Sequence, residues 1–378
     1  MSNTSKDLCC HSSQAARVRL LSKYGRLGAS SRLRMFQYVP HVERLGLSVE
    51  SKPLFSDAYI KDLYITGAIS ARLRAWKYYW ERISVLLCDV DRDVDWIQGE
   101  LLPYLPQWLE RLLTRSRRPY VVDYDDALFH RYDLSSLAPV RWMLHNKIDK
   151  VMRNAACVVA GNRYLAERAQ SAGAHCVTII PTVVDAGRYK PVVHRSKECV
   201  VIGWIGSPVT ERYLAPLRSI LLRLCVECQV KLLLVGASQK AAQLLEGVPL
   251  EIVPWSEDTE AACISTMDIG IMPLNDSPWE RGKCGYKLIQ YMASGLPVVA
   301  SPVGVNSEIV REGENGFLAN DADSWLRTLG TLIDSVELRA DMGRAGRKLV
   351  EEWYSVEVQG MRLTRVLQSA ATGGALLS

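Results

Sequence analysis

Lys283 and Lys287 stand in the stretch RGKCGYKLIQYMA, between Gly282 and Gly285 and an apolar-periodic segment. Four residues is close to one helical turn, so both ammonium groups fall on one face at the start of a helix. A helix start presents unpaired N–H groups and the positive end of the dipole, and glycines let a ligand approach the backbone. That combination suits a diphosphate. A second group, Asp123, Asp125, Asp126 and His130, follows the apolar run Tyr120 to Val122 in PYVVDYDDALFHRYD. Neighbouring carboxylates there can bind a divalent ion, orient sugar hydroxyls, or hold one member with a raised pKa as an acid or base. An aspartate in that place can also simply cap the next helix. Asp89, Asp91, Asp93, Asp95 and Glu100 fall at calcium-loop spacing. The glycine such a loop needs is replaced by Val94, and Val94, Trp96 and Ile97 read as a strand, so calcium is rejected.

The elements around these groups repeat one pattern. Ile269 to Leu274 reads as a buried strand, Leu288, Ile289 and Met292 as a helix stopped by Gly295 and Pro297, and Val298 to Ala300 as a second strand. This is a βαβ unit, with its glycine loop where parallel sheets bind ligands. Near the start of the chain, Arg17 to Tyr24 predicts a strand. The turn Gly25 to Gly28 follows, with Ser30 and Ser31 capping a helix from about Arg32 to Leu45 that Gly46 ends. LSVESKPLF, Cys157 to Ala160 and Val177 to Pro181 predict further strands, Asp57 to Leu86 a helix, and Asn162 a helix cap. A second set opens with CVVIGWIGSP, which runs into Gly206 and Ser207 with Thr210 as a cap, and continues with KLLLVGA and with LEIVPWS ending at Trp255. NGFLAND predicts a short strand and Ser324 to Glu352 helices.

The polar, basic connection Gly187 to Glu198 divides the two sets. The first glycine turn is not a GxGxxG fingerprint and lacks an acidic residue at ribose-reading spacing, which argues against a nicotinamide oxidoreductase.

At 378 residues, 48% hydrophobic and 23% charged, the chain has enough apolar material for two cores. No apolar run reaches the ~20 residues of a membrane span, and MSNTSKDLCCHSSQAAR reads as a loose polar leader. The ten cysteines follow no framework or zinc spacing and read as reduced, mostly buried thiols of a cytoplasmic protein. A net charge of +5 suits an anionic ligand or an anionic lipid surface without requiring either. The helix with Arg72, Arg74, Trp76, Lys77, Trp80 and Arg82 reads either as core with a solvated basic face or as a membrane-surface helix. The run RSRR, Arg115 to Arg118, is open to the same two readings.

GLPVVASPVGVNSEIV, GNRYLAE, IIPTVVD and VIGWIGSP, spread over most of the chain, resemble the family 4 glycosyltransferases of the GT-B fold. Within that family the chain resembles a subset with DYDDA in the first domain and RGKCGYKLIQYMA in the second. The resemblance implies an α/β architecture of two Rossmann-like domains facing across a cleft. Residues 1–190 would bind the acceptor and 191–355 the nucleotide-sugar donor, with a helix in 356–378 packing back on the first domain. Most family members carry two glutamates about two helical turns apart, one meeting the donor sugar and one the ribose. Here those places hold Gly282 and Gln290.

What the resemblance implies is transfer of a sugar, with retention, from a nucleotide-diphosphate sugar to an acceptor hydroxyl in cell-envelope or polysaccharide synthesis. Lys283 and Lys287, with Gly28 and Gly206, would neutralise the departing diphosphate, while Asp126 and His130 orient the acceptor hydroxyl or sugar. Ser207, Trp255, Gly282, Gly285 and Gln290 would meet the donor, and either Glu280 or the backbone of the loop would stand in for the missing first glutamate. Neither a metal nor another cofactor is implied, nor a nucleic-acid partner. The expected setting is the cytoplasm, with peripheral contact to the inner, anionic membrane face if the acceptor is lipid-linked. The alternative is a catalytically silent relative that binds nucleotide sugar without turnover.

Overall fold

Successive strand residues point to opposite faces of a sheet, so a strand covered on both sides must be apolar throughout. The chain obeys this. Leu20, Trp96, Val121 and Val159 pack into one cluster while their neighbours Leu21, Ile97, Val122 and Val158 pack into another. Ile202, Trp204, Leu232 and Leu234 likewise separate from Val201, Ile205, Leu233 and Val235. The computed structural model describes residues 15–374 except 67, 89–90, 114–117 and 197, without the side chains of 61, 63–74 and 112–113. Residues 1–14 of the polar leader, Asp89, Arg115 and Arg117, and the side chains of Arg72 and Arg74, lie outside what is described, while Ala16 and Arg17 already belong to the first strand.

The described residues form two six-stranded parallel sheets. The first holds β1 (Ala16–Leu21), β2 (Leu47–Ser51), β3 (Val94–Gln98), β4 (Tyr120–Tyr124), β5 (Cys157–Ala160) and β6 (Val177–Ile179), in the order β2-β1-β3-β4-β5-β6. The second holds β7 (Val200–Ile205), β8 (Val230–Val235), β9 (Leu250–Val253), β10 (Ile269–Met272), β11 (Val298–Ala300) and β12 (Gly316–Leu318), in the order β12-β11-β10-β7-β8-β9. Each sheet reverses its winding once, between β1 and β3 and between β7 and β10. Ligands bind outside the carboxyl ends of strands at such switch points. These are the two glycine turns read from the sequence.

The last helix, Val356–Thr372, leaves the second domain and packs on the first sheet, where Val356, Leu363, Val366 and Leu367 join Val18, Leu20 and Trp96. Val184 fastens the crossing, donating its N–H to Tyr354 and accepting from Val356, both at 3.0 Å.

Three expectations change. The first helix begins at Ala29, before Arg32, because Ser31 does not cap it. Its hydroxyl accepts from the Tyr24 N–H at 3.1 Å and donates to Gln98 at 2.7 Å. The helix expected over 57–86 is present on both sides of residue 67, which lies outside the described residues, as Asp57–Thr66 and Ala68–Leu87. Asp123 is not beyond β4 but inside it, its carboxylate accepting from the buried Arg34 guanidinium at 2.7 and 3.0 Å. The cysteines are neither all reduced nor mostly buried. Parallel pairing of Val158 with Val177 sets Cys157 beside Cys176, which are bonded. Of the free cysteines described, Cys284 alone is buried. The acidic run of the rejected calcium loop is dispersed onto cations. Asp91 and Asp93 face Arg17, Asp95 lies between Arg19 and Arg92, and Glu100 faces Lys147.

Candidate active site

Gly285 opens the helix Tyr286–Ala293 with φ +66°, a left-handed conformation, and a Cβ there would lie 2.4 Å from Ile309. The glycine therefore fixes where the helix starts, and with it where Lys287 points. The loop before it is held by the first domain. The Asn162 amide donates to the carbonyls of Gly282 at 3.0 Å and Lys283 at 2.9 Å while its Oδ1 caps its own helix. The Cys284 thiol lies 3.1 Å from the Asp125 carbonyl. A Cβ on Gly282 would come within 2.7 Å of the Ala127 backbone nitrogen. The DYDDA and GNRYLAE stretches thus grip the lysine loop across the domain boundary.

Lys283 consequently reaches Asp126, 3.6 Å away. Burial pushes the Asp126 carboxyl up to about 6 against the pull of Lys283. Lys287 lies with its ammonium 4.5 Å from the Trp204 ring centroid. Burial first, and then the like charge of Lys283, push that ammonium down to about 7. Both lysines, with Ser30, Asp125, Asp126, Thr210, Tyr213, Gly285 and Tyr286, line a cavity of about 200 Å³ between the domains. Two cations, one depressed by desolvation, facing a cavity at a helix start form an arrangement that a diphosphate would relieve.

The other expected residues are distributed as follows. Gly28 precedes the first helix and is crowded by Tyr24, which would lie 2.4 Å from a Cβ. Gly206 donates its N–H to Val235 at 2.9 Å and faces Gly236, whose Cβ would meet the Gly206 carbonyl at 2.3 Å. The Ser207 N–H is taken by the Thr210 hydroxyl at 3.1 Å, so Thr210 closes a turn and does not cap a helix. Glu280 is buried, accepting from Ser277 and Tyr213, with Arg212 at 3.7 Å. Burial works against its charge, but the bonds from Ser277 and Tyr213 outweigh it and hold the carboxyl below its usual range. His130 is turned away from the lysines. Its Nδ1 meets Asp133 and its Nε2 the Tyr164 hydroxyl, each at 2.8 Å.

Gln290 is buried and donates to the Tyr189 hydroxyl at 3.0 Å, which itself donates to Glu260 at 3.1 Å. Trp255 donates its indole N–H to the other Glu260 oxygen at 2.9 Å, and its ring carries the Arg32 guanidinium at 4.7 Å. Since Tyr189 spends its proton on Glu260, its partner at 290 must be a donor, which glutamine is and an ionised glutamate is not. Gln290→Ala should therefore cost about 1 kcal/mol of folding stability, the worth of a neutral bond. Gln290→Glu should lower the melting temperature more than Gln290→Ala does, by setting two carboxylates against one hydroxyl. Equal or higher stability of the Glu variant would refute the donor assignment.

Sequence reasoning missed Asn162 as a bridge, Tyr189 and Tyr213 as anchors, and Arg34. The cap signal at Asn162 was legible, but its second bond needs the other domain.

The two Rossmann-like domains and the cleft between them define a GT-B fold. Residues 196–335, in the second domain, match the family model described as "Glycosyl transferases group 1". The GDP-mannose-dependent monoacylated alpha-(1-6)-phosphatidylinositol monomannoside mannosyltransferase of Corynebacterium glutamicum is 37% identical over 86 residues. That match covers 22% of this chain and only 23% of the relative's length. Among solved structures, sucrose-phosphate synthase from Thermosynechococcus elongatus superposes with a TM-score of 0.69 at 14% identity, covering 95% of this chain and 100% of that one. Anabaena HepE in complex with UDP-glucose gives 0.65 at 16% identity, covering 93% and 99%.

Proposed function

We propose that the protein is a retaining glycosyltransferase that moves a sugar from a nucleotide-diphosphate sugar to an acceptor hydroxyl, in synthesis of a cell-envelope glycoconjugate or polysaccharide. The observation that carries this reading is the meeting of Lys283, Lys287 and Asp126 around one cavity between the domains. The second domain would hold the donor and the first the acceptor. Asp125 and Asp126 border both the donor cavity and a second cavity at the carboxyl ends of β1, β3 and β4, so they stand where a sugar and an acceptor hydroxyl would meet.

In the step itself the acceptor oxygen bonds to the anomeric carbon as the bond from that carbon to the diphosphate oxygen breaks. The acceptor proton passes to the departing phosphate oxygen on the same face, which retains configuration. Lys283 and Lys287 stabilise the charge that grows on the diphosphate. Asp126 orients the hydroxyl. Glu280 acts through Tyr213 and Ser277 by fixing the loop, and Gly282 leaves room for Ala127. Gly282→Ala should cost the closed domain arrangement about 1–3 kcal/mol through overpacking. That cost is read as weaker UDP binding in the folded variant, and full UDP affinity in the variant would count against the clamp.

The proposed setting is the cytoplasm, with peripheral docking on an anionic membrane that supplies a lipid-linked acceptor. Trp76 and Trp80 lie one turn apart and are each 65% exposed, and the same domain exposes Trp108 and Trp142. Among the described residues no helix is long and apolar enough to cross a membrane. Salt-sensitive flotation with anionic vesicles tests the docking. Mass spectrometry of products from a panel of nucleotide sugars tests the transfer. UDP binding without product or donor hydrolysis would favour the silent alternative, to which the glycine at 282 lends some weight.

A further inference from the structure

The second cavity, about 270 Å³, has charged groups of both signs in its lining. It shares Ser30, Asp125 and Asp126 with the donor cavity, whereas Lys23, Glu100 and Arg131 border it alone. Its Asp125 and Asp126 therefore adjoin the donor lysines, and two cations, Lys23 and Arg131, stand in the rest of its lining with Glu100. The acidic groups along it are mostly committed. Asp123 belongs to Arg34, and Asp126 lies 3.6 Å from Lys283. Glu100 accepts from the Tyr132 hydroxyl at 2.7 and 2.8 Å and from Lys147 at 2.6 Å, leaving Arg131 at 3.7 Å.

The Lys23 ammonium makes no ion pair among the described residues, and its closest assigned contact is the Tyr24 ring, 5.2 Å to the centroid. Burial and then the charge of Arg131 push it down to about 8, against the weaker pull of Glu100 and Asp125. Two half-buried cations that repel each other across a cavity floor are stabilised by a shared anion.

We infer that the acceptor is a phosphate-bearing polyol, its reactive hydroxyl at Asp125 and Asp126 and its phosphate between Lys23 and Arg131. This rests on the glycosyltransferase reading for the word acceptor, while the anion site stands on the cavity itself. Phosphate on a free sugar or polyol and phosphate in a lipid headgroup share this chemistry.

The test is calorimetric titration of the full chain, saturated with UDP to fill the donor cavity, with glycerol 3-phosphate, glycerol, and dioctanoyl phosphatidic acid in neutral micelles. The expected result is saturable binding of the phosphates and none of glycerol. Lys23→Met and Arg131→Met should each weaken phosphate binding at least tenfold at unchanged UDP affinity, while Lys23→Arg keeps it within threefold. Phosphatidic acid binding ten times tighter than glycerol 3-phosphate would assign the anion to a lipid headgroup, and equal binding to a water-soluble acceptor. Absence of phosphate binding to the UDP-loaded protein, unchanged binding in the folded Met variants, or equal loss in Lys23→Arg would overturn the inference. Failure of UDP itself to bind strikes the donor reading instead, and the anion site is then decided by glycerol 3-phosphate with the cleft empty.

Discussion

Lys283→Ala and Lys287→Ala should each lower kcat/KM by roughly two to three decades while the protein stays folded. Removing one ammonium partner of a diphosphate in a closed cleft costs about 2–4 kcal/mol of transition-state stabilisation. The two variants should differ in pH dependence. In the free protein the Lys287 ammonium titrates at about 7, held down by burial and by Lys283. Above that pH it is largely neutral and must take up a proton to meet the diphosphate, so UDP affinity should fall as pH rises, by at most about tenfold per pH unit. Lys287→Ala should abolish this slope. Lys283→Ala should move it to higher pH, because the charge that depresses Lys287 is gone. Calorimetry with UDP across pH, beside steady-state kinetics and thermal melts, reads both effects. Near-wild-type turnover in both folded variants would put the phosphate site elsewhere in the cleft.

Arg34→Met should cost about 3–5 kcal/mol of folding stability, since it strands the buried Asp123 carboxylate. Both partners are buried, and Arg34 also donates to the Ile180 carbonyl at 2.8 Å, so one guanidinium ties β4 to the chain that follows β6. Burial already pushes Asp123 up to about 6 with Arg34 pulling against it. Without Arg34 the folded-state pKa stays above the unfolded one with nothing to lower it. Above pH about 6 the folded variant holds a proton that wild type has lost, so its deficit relative to wild type should grow as pH rises from about 6 and level off below it. The double variant Arg34→Met, Asp123→Leu removes both charges and should recover much of the loss. Urea unfolding at several pH values decides it. A single variant within about 1 kcal/mol of wild type would mean that water reaches Asp123.

The motifs that point to a phosphate were legible because their chemistry is local. Gly282 and Gly285 mark a loop ahead of a helix, Lys283 and Lys287 share a helix face by spacing alone, and each strand is an apolar run with a polar end. The same local reading erred where a side chain answers to something distant in sequence. Ser31 reads as a cap but bonds to Gln98 across the sheet. Asp123 reads as a site carboxylate but is neutralised by Arg34, 89 positions earlier. Glu280 reads as a substitute sugar ligand but is consumed by Tyr213. His130 follows the aspartates in sequence, yet one turn of helix swings it onto Asp133 and Tyr164.

By itself, then, the sequence determined two parallel α/β domains, their glycine turns and the lysine pair, because period, spacing and backbone freedom act within a few residues. The tertiary structure decided which carboxylates remain open to a ligand. Charge pairing in a buried site depends on which groups come within a few ångströms, and those groups arrive from different strands and from both domains. It also decided why residue 282 is glycine and residue 290 glutamine. The first is pressed against Ala127 of the other domain, and the second answers a tyrosine hydroxyl whose proton is already given to Glu260.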